Sequence, residues 1–188
     1  MDDVAPDRPS ATSSPIRWPD IPACYGWLSL DRRGAWRLKG EVIHHGGMIE
    51  FINRNYGPDG TGNWVFRNGP QLVFVDLDYT PFVLRLQVDG RFLLHTGQSA
   101  GTPAAAFVDE EGQVLIAVEG GIGLVDDRDL GRFIDGCCHL ESDGRNDGSP
   151  AQVAGGETRL SWQGLALHPV SRRVVPGLFG FEPLPRPD

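Results

Sequence analysis

The sequence predicts an α+β protein of two small β-rich units, each with strands packed around one helix. Three observations carry this. Gly (25) and Pro (15) are frequent in a chain of 188 residues, so turns are closely spaced. The apolar runs, such as QLVFVDL and FVLRLQV, are of strand length. Helical spacing of apolar residues is confined to one stretch in each half, GGMIEFINRNY and DDRDLGRFIDGCCHL.

Residues 1–20, MDDVAPDRPSATSSPIRWPD, carry Pro, Ser and Asp with little to bury and read as a disordered arm. The first unit is expected over 21–90. It opens with a hairpin in DRRGAWRLKGEVIHH, where Lys39-Gly40 is the two-residue turn and Gly supplies the positive φ. A helix follows at about 46–56, with Met48, Ile49, Ile52 and Tyr56 on one face, ended by GPDGTGN. Strand runs come next at Asn63–Phe66, Gln71–Leu77 and Phe82–Val88. The second unit is expected over 91–170. It holds a hairpin of Ala105–Val108 and Val114–Val118 around DEEG, then a helix at about 127–139. Asp126 or Asp127 would cap that helix, and Leu130, Phe133, Ile134 and Cys137 would form its buried stripe. ESDGRNDGSPAQVAGG reads as a polar loop, and TRLSWQGLALHPV as a closing hairpin. Residues 171–188 form a Pro/Phe-rich tail.

AWRLKGEVIH and RLSWQGLALH align without a gap, with Gly40 on Gly164 and His44 on His168. This raises the expectation of an internal duplication whose helix–hairpin order is reversed in the second half. In that reading the adjacent His44 and His45 mark a strand turning into a helix. The pair lacks the i, i+4 spacing of a zinc-binding helix and a further nearby ligand, so no metal site is expected.

The formal charge is −8 and Lys39 is the sole lysine, which disfavours nucleic acid as a partner. No apolar run approaches the roughly 20 residues of a membrane span, and no basic-plus-apolar leader opens the sequence, so a cytoplasmic location is expected. Cys24, Cys137 and Cys138 are too few, and wrongly placed, for a disulfide framework, and read as reduced thiols.

In VDLDYTPF, Asp76 and Asp78 share one side of a strand, and paired carboxylates suit acid–base work or a hard cation as well as a strand-end turn. Tyr79 and Phe82 flank Pro81, which fixes the local backbone, and an aromatic there could line a cleft. VEGGIG follows a strand and precedes a helix, but it lacks the lysine and spacing of a phosphate loop. The Asp126-Asp127 pair would also repel phosphate. His95 ends a strand near mid-chain. No GxSxG or other nucleophile context is present.

The order of these residues resembles an uncharacterised bacterial family, domain of unknown function 1285, or a sister family of it. The resemblance runs from about Asp31 to Val170. It rests on Asp31, Gly34, Trp36, Gly40, Val75, Asp78, Pro81, Phe82, Val83, Asp109, Gly112, Glu119, Gly120, Gly121 and Gly164. It implies a duplicated architecture with a second unit similar to pleckstrin-homology-like folds, a ligand site at the interface, and a signalling role. DGCCHL and the tail VVPGLFGFEPLPRPD depart from the family pattern.

The functional expectation is a non-catalytic protein that binds a small molecule or protein partner, in bacterial signalling or regulation, without a cofactor. The expected ligand-binding set in an interdomain cleft is Asp76, Asp78, Tyr79, Phe82, His95 and Glu119. The competing readings are a small hydrolase or other enzyme using Asp76/Asp78, with or without a metal, and an interaction protein that docks through its tail.

Overall fold

The structure, a computed structural model, describes residues 21–139 and 160–187. The arm expected at 1–20 and the polar loop expected at 141–156 lie outside the described residues.

A six-stranded sheet comes first, built from β1 (Ala23–Leu30), β2 (Trp36–Leu38), β3 (Glu41–Val42), β4 (Tyr56–Pro58), β5 (Trp64–Asn68) and β6 (Gln71–Leu77). Its spatial order is β3-β2-β1-β6-β5-β4, with β1 and β6 parallel at the centre. Sequence reading misses β1. ACYGWLSL carries Gly26 at φ 67°, and the register with β6 shifts between Cys24 and Leu28, so the alternation expected of a strand is broken by a bulge. On β6 Val73, Val75 and Leu77 are buried on one face, while on the other Phe74 is buried and Asp76 is half-buried. Helix α1 (Gly46–Asn55) bridges β3 and β4 and buries Ile52 completely. His45 caps it, its Nδ1 accepting the Met48 N–H at 3.2 Å, and His44 is exposed. The two histidines therefore mark the strand-to-helix junction.

The second sheet has eight strands. They are β7 (Phe82–Leu86), β8 (Phe92–Leu94), β9 (Ala105–Val108), β10 (Val114–Val118), β11 (Gly121–Val125), β12 (Cys137–His139), β13 (Leu160–Trp162) and β14 (Leu165–Pro169). The order is β12-β13-β14-β9-β10-β11-β7-β8. The run 82–88, grouped with the first unit in the sequence, lies in this second sheet, so the change of sheet falls at 78–81. The helix expected over 127–139 is also shorter. A 3₁₀ turn (Asp127–Asp129), capped by Asp126, leads into α2 (Leu130–Asp135), and the chain then extends as β12. The helix gives way because Cys137 pairs with Trp162 in antiparallel register; Gly136, still helical in geometry, leaves room for that ring, since a Cβ there would stand 3.1 Å from Trp162 Nε1. The Cys137 and Cys138 side chains then fall on opposite faces of a strand, one buried and one exposed.

One closed loop recurs at 31–35, 59–63, 87–91, 94–98 and 109–113. In each, the N–H of the first residue donates to the carbonyl of the fifth at 2.8 to 3.0 Å. The fourth is always Gly, with φ between 77° and 102°. In four of them the N–H of that glycine also donates to the carbonyl of the first residue, a type I turn closed by a left-handed residue, a position that costs glycine nothing; in 59–63 Gly60 also has positive φ, 93°. In three of the loops the first residue is an aspartate, Asp31, Asp59 or Asp109, whose Oδ1 accepts the amides two and four residues on. Lys39-Gly40 and Gln163-Gly164 form a different turn, with positive φ at both residues (50° and 87°, 48° and 83°). The two glycines aligned in the sequence thus occupy the same local geometry.

One continuous core spans both sheets, from Leu28, Trp36 and Phe66 to Leu115, Ile122 and Phe133, all at most 2% exposed. The tail closes back onto this body. It forms a 3₁₀ turn (Arg172–Val174), then α3 (Val175–Phe179) with Gly180 in the left-handed capping position, then an extended run. Val175 and Phe181 are buried. The Glu182 N–H donates to Gly62 O, the Leu77 N–H donates to Pro183 O, and Arg186 pairs with Asp76 at 3.3 Å. Among the described residues no helix is long and apolar enough to cross a membrane.

Candidate functional site

A recess of about 200 Å³ lies where the two sheets and the tail meet. The segment 58–64 of the first sheet, the turn at Gly120-Gly121 of the second and residues 179–181 of the tail supply its walls. Each wall has a local cause. The closed loop 59–63 folds around the Asp59 carboxylate, which its own amides and the Thr61 and Asn63 side chains hold below the usual carboxylate range against the opposing effect of burial. Gly121 takes φ 155° and has no side chain, which leaves Phe82 and Trp64 close to the surface; a Cβ there would stand 3.6 and 3.7 Å from their rings. The Gly180 cap turns the chain so that Phe179 and Phe181 flank the opening.

The lining is wholly Gly, Pro, Ile, Trp and Phe, with no charged side chain. Trp64 and Phe82 meet edge-on at 4.9 Å, and behind them Tyr56, Trp36 and His95 continue the aromatic packing. Walls of this kind suit contact and stacking with a compact apolar body. Among the described residues no three His, Cys, Asp or Glu side chains converge on a common point.

The six residues singled out in the sequence are dispersed. Phe82 lies behind the recess, and the exposed Glu119 precedes the lining Gly120, its carboxylate turned toward Gly101. Asp76 pairs with Arg186; burial raises its carboxyl, the Asp78 charge adds to that, and Arg186 opposes it. Asp78 is exposed. Tyr79, expected to be partly open, is only 6% exposed, because its hydroxyl donates to Asp109 Oδ2 at 2.9 Å. Burial and that carboxylate hold the phenol protonated. The guanidiniums of Arg172 and Arg32 cover its ring at 4.7 and 5.8 Å and both pair with Glu111. This cluster ties the 31–35 loop, the 109–113 loop and the tail together. His95 is packed against Trp36 and Tyr56; its Nδ1 accepts the Val83 N–H, and its buried Nε2 has no partner among the described residues. Burial pushes its pKa down to about 3, so the imidazole is neutral.

Trp64, Phe179 and Phe181, which line the recess, are not among the residues singled out in the sequence. The signal present was glycine density, in GPDGTGN beside Trp64, in VEGG, and in LFGF of the tail. Glycine marks places where backbone lies bare beside a cleft as well as places where it turns.

A DUF1285 family protein from Silicibacter pomeroyi DSS-3 superposes with a TM-score of 0.50 at 18% identity, over 63% of this chain and 73% of its own. A second DUF1285 family protein, from Shewanella baltica OS155, gives 0.44 at 12% identity, over 58% of this chain and 91% of its own. The first of these superpositions shows a shared mixed α+β fold. The family model described as "Protein of unknown function (DUF2946)" matches residues 11–186, and the chain belongs to that family. No curated protein matches it.

Proposed function

We propose that this protein is a non-catalytic binding module whose ligand occupies the recess between the sheets and the tail. The observation that supports this is the composition of the walls: aromatic rings and bare glycine backbone, with no side chain able to act as base or nucleophile. The enzyme reading built on Asp76 and Asp78 has less support, since Asp76 is paired with Arg186 and the lining contains neither residue. Docking on a partner through the tail also has less support, because Val175 and Phe181 are already buried in the body of the chain. The two-unit division with an internal duplication, a cytoplasmic setting suited to its free thiols, and a regulatory role belong to the same proposal.

The test is a thermal-shift screen of neutral metabolites and peptides on the full chain. A ligand present at a hundred times its Kd should stabilise the native state by about 2.7 kcal/mol and be recovered unchanged. A compound consumed during the assay would replace this reading with the enzymatic one.

A further inference from the structure

We propose that the recess receives a proline residue of an extended peptide segment. This rests on the binding reading above and names the ligand class. Three observations on different residues lead to it. First, the walls are Trp64, Phe179 and Phe181 with Pro58 and Pro81, flat apolar surfaces without charge. A pyrrolidine ring presents a rigid apolar face and loses little conformational freedom when it stacks on such walls. Second, the hydrogen-bonding groups at the recess are unbalanced. The carbonyls of Pro58, Gly62 and Pro81 already accept from Arg67, from the Glu182 N–H and from the Tyr56 hydroxyl at 2.8 to 2.9 Å. The Trp64 indole N–H, by contrast, has no acceptor among the described residues. The ring edge next to that nitrogen faces Gly121, whose Cβ would lie 3.7 Å from Cζ2. An X-Pro tertiary amide is a strong acceptor with no N–H of its own, so it satisfies the indole and asks for no acceptor in return. Third, the molecule already holds a proline segment of this kind at the edge of the recess. The tail run Phe181–Pro187 reads FEPLPRP; the Leu77 N–H donates to Pro183 O, and Pro185 is buried. At about 30 Å³ per water, 200 Å³ displaces roughly seven waters, which suits one ring and its carbonyl.

The experiment is an NMR titration of ¹⁵N-labelled full-length protein with a capped tetraproline peptide, a capped tetraglycine peptide and a set of small neutral proline-free fragments. The Trp64 indole resonance is assigned by its loss in Trp64→Phe. Tetraproline is expected to shift that resonance and the Gly121 and Phe181 amides saturably, with tetraglycine inert. Trp64→Phe should weaken binding about fivefold, the worth of one hydrogen bond. Because that residue packs in the core, Gly180→Asn is a second variant: its backbone (φ 67°, ψ 40°) is one asparagine accepts, and its Cβ meets no atom within 4 Å. It should weaken tetraproline binding while the remaining amide spectrum stays native. If the fragments shift the recess resonances and tetraproline does not, the proline assignment falls and the binding reading stands. If neither shifts them, both fall.

Discussion

His95 holds a neutral imidazole among aromatic rings, and that has a pH consequence. Its native pKa is pushed down to about 3 by burial, against about 6.5 in an unfolded chain. Above pH 6.5 neither state binds the proton, and the contribution to stability is whole. As pH falls from 6.5 toward 3 the unfolded chain takes up the proton while the native protein does not, so stability declines across that window. Urea denaturation of the wild type at several pH values should show this decline, and His95→Gln should flatten it. An unchanged slope in the variant would assign the acid sensitivity to other groups. Tyr79 gives a second test at this scale. Tyr79→Phe leaves Asp109, which is 0% exposed, with one acceptor bond fewer, and should cost about 1 to 3 kcal/mol in the same measurement. The thiols offer a third. Cys138 is exposed, while burial pushes the Cys137 thiol up to about 12 and raises Cys24 as well. A thiol reagent at pH 8 should therefore label Cys138 rapidly, and Cys24 and Cys137 only on unfolding.

Turn chemistry decides most of the elements. Lys39-Gly40 and Gln163-Gly164 were legible because a two-residue turn ending in glycine, between apolar runs, is a strong local signal. Gly40→Val and Gly164→Val place a β-branched side chain at φ 87° and 83°, and each should cost about 1 to 3 kcal/mol. Equal melting temperatures for wild type and variants would show that these turns do not set the hairpins. The five-residue loops were less legible, because their signature is a glycine at the fourth position preceded by varied residues. Helix α1 was legible from its spacing. The end of α2 was not, because Gly136 and the pairing of Cys137 with Trp162 act through residues distant in the sequence. Strand β1 was hidden by its own bulge at Gly26, although it lies at the centre of its sheet. The recess was hidden in the same way: Asp76, Asp78 and His95 stand out by residue type and lie in an ion pair, in solvent and in the core, whereas the recess is formed by glycines and by aromatics from three separate segments.

At the scale of the whole molecule, the tail unites the two sheets. Phe179 meets Phe107 of the second sheet edge-on at 5.6 Å, while Glu182, Pro183 and Arg186 bond to the first. Arg186→Ala removes only an exposed ion pair and should change stability by about 1 kcal/mol or less. Removal of residues 175–188 uncovers the positions packed by Val175 and Phe181 and should be far more damaging, seen as a large fall in melting temperature. This stitching places the second sheet, whose strands begin at Phe82 and end at Pro169, between the first sheet and the tail segment that bonds back to it: the chain leaves the first sheet at Leu77, and Glu182 and Pro183 later bond to Gly62 and Leu77. On a ribosome, the first sheet can pair its strands early but cannot complete its surface until the second sheet has emerged and the returning segment follows. The recess, with one wall on that segment, is then completed only after both sheets have folded.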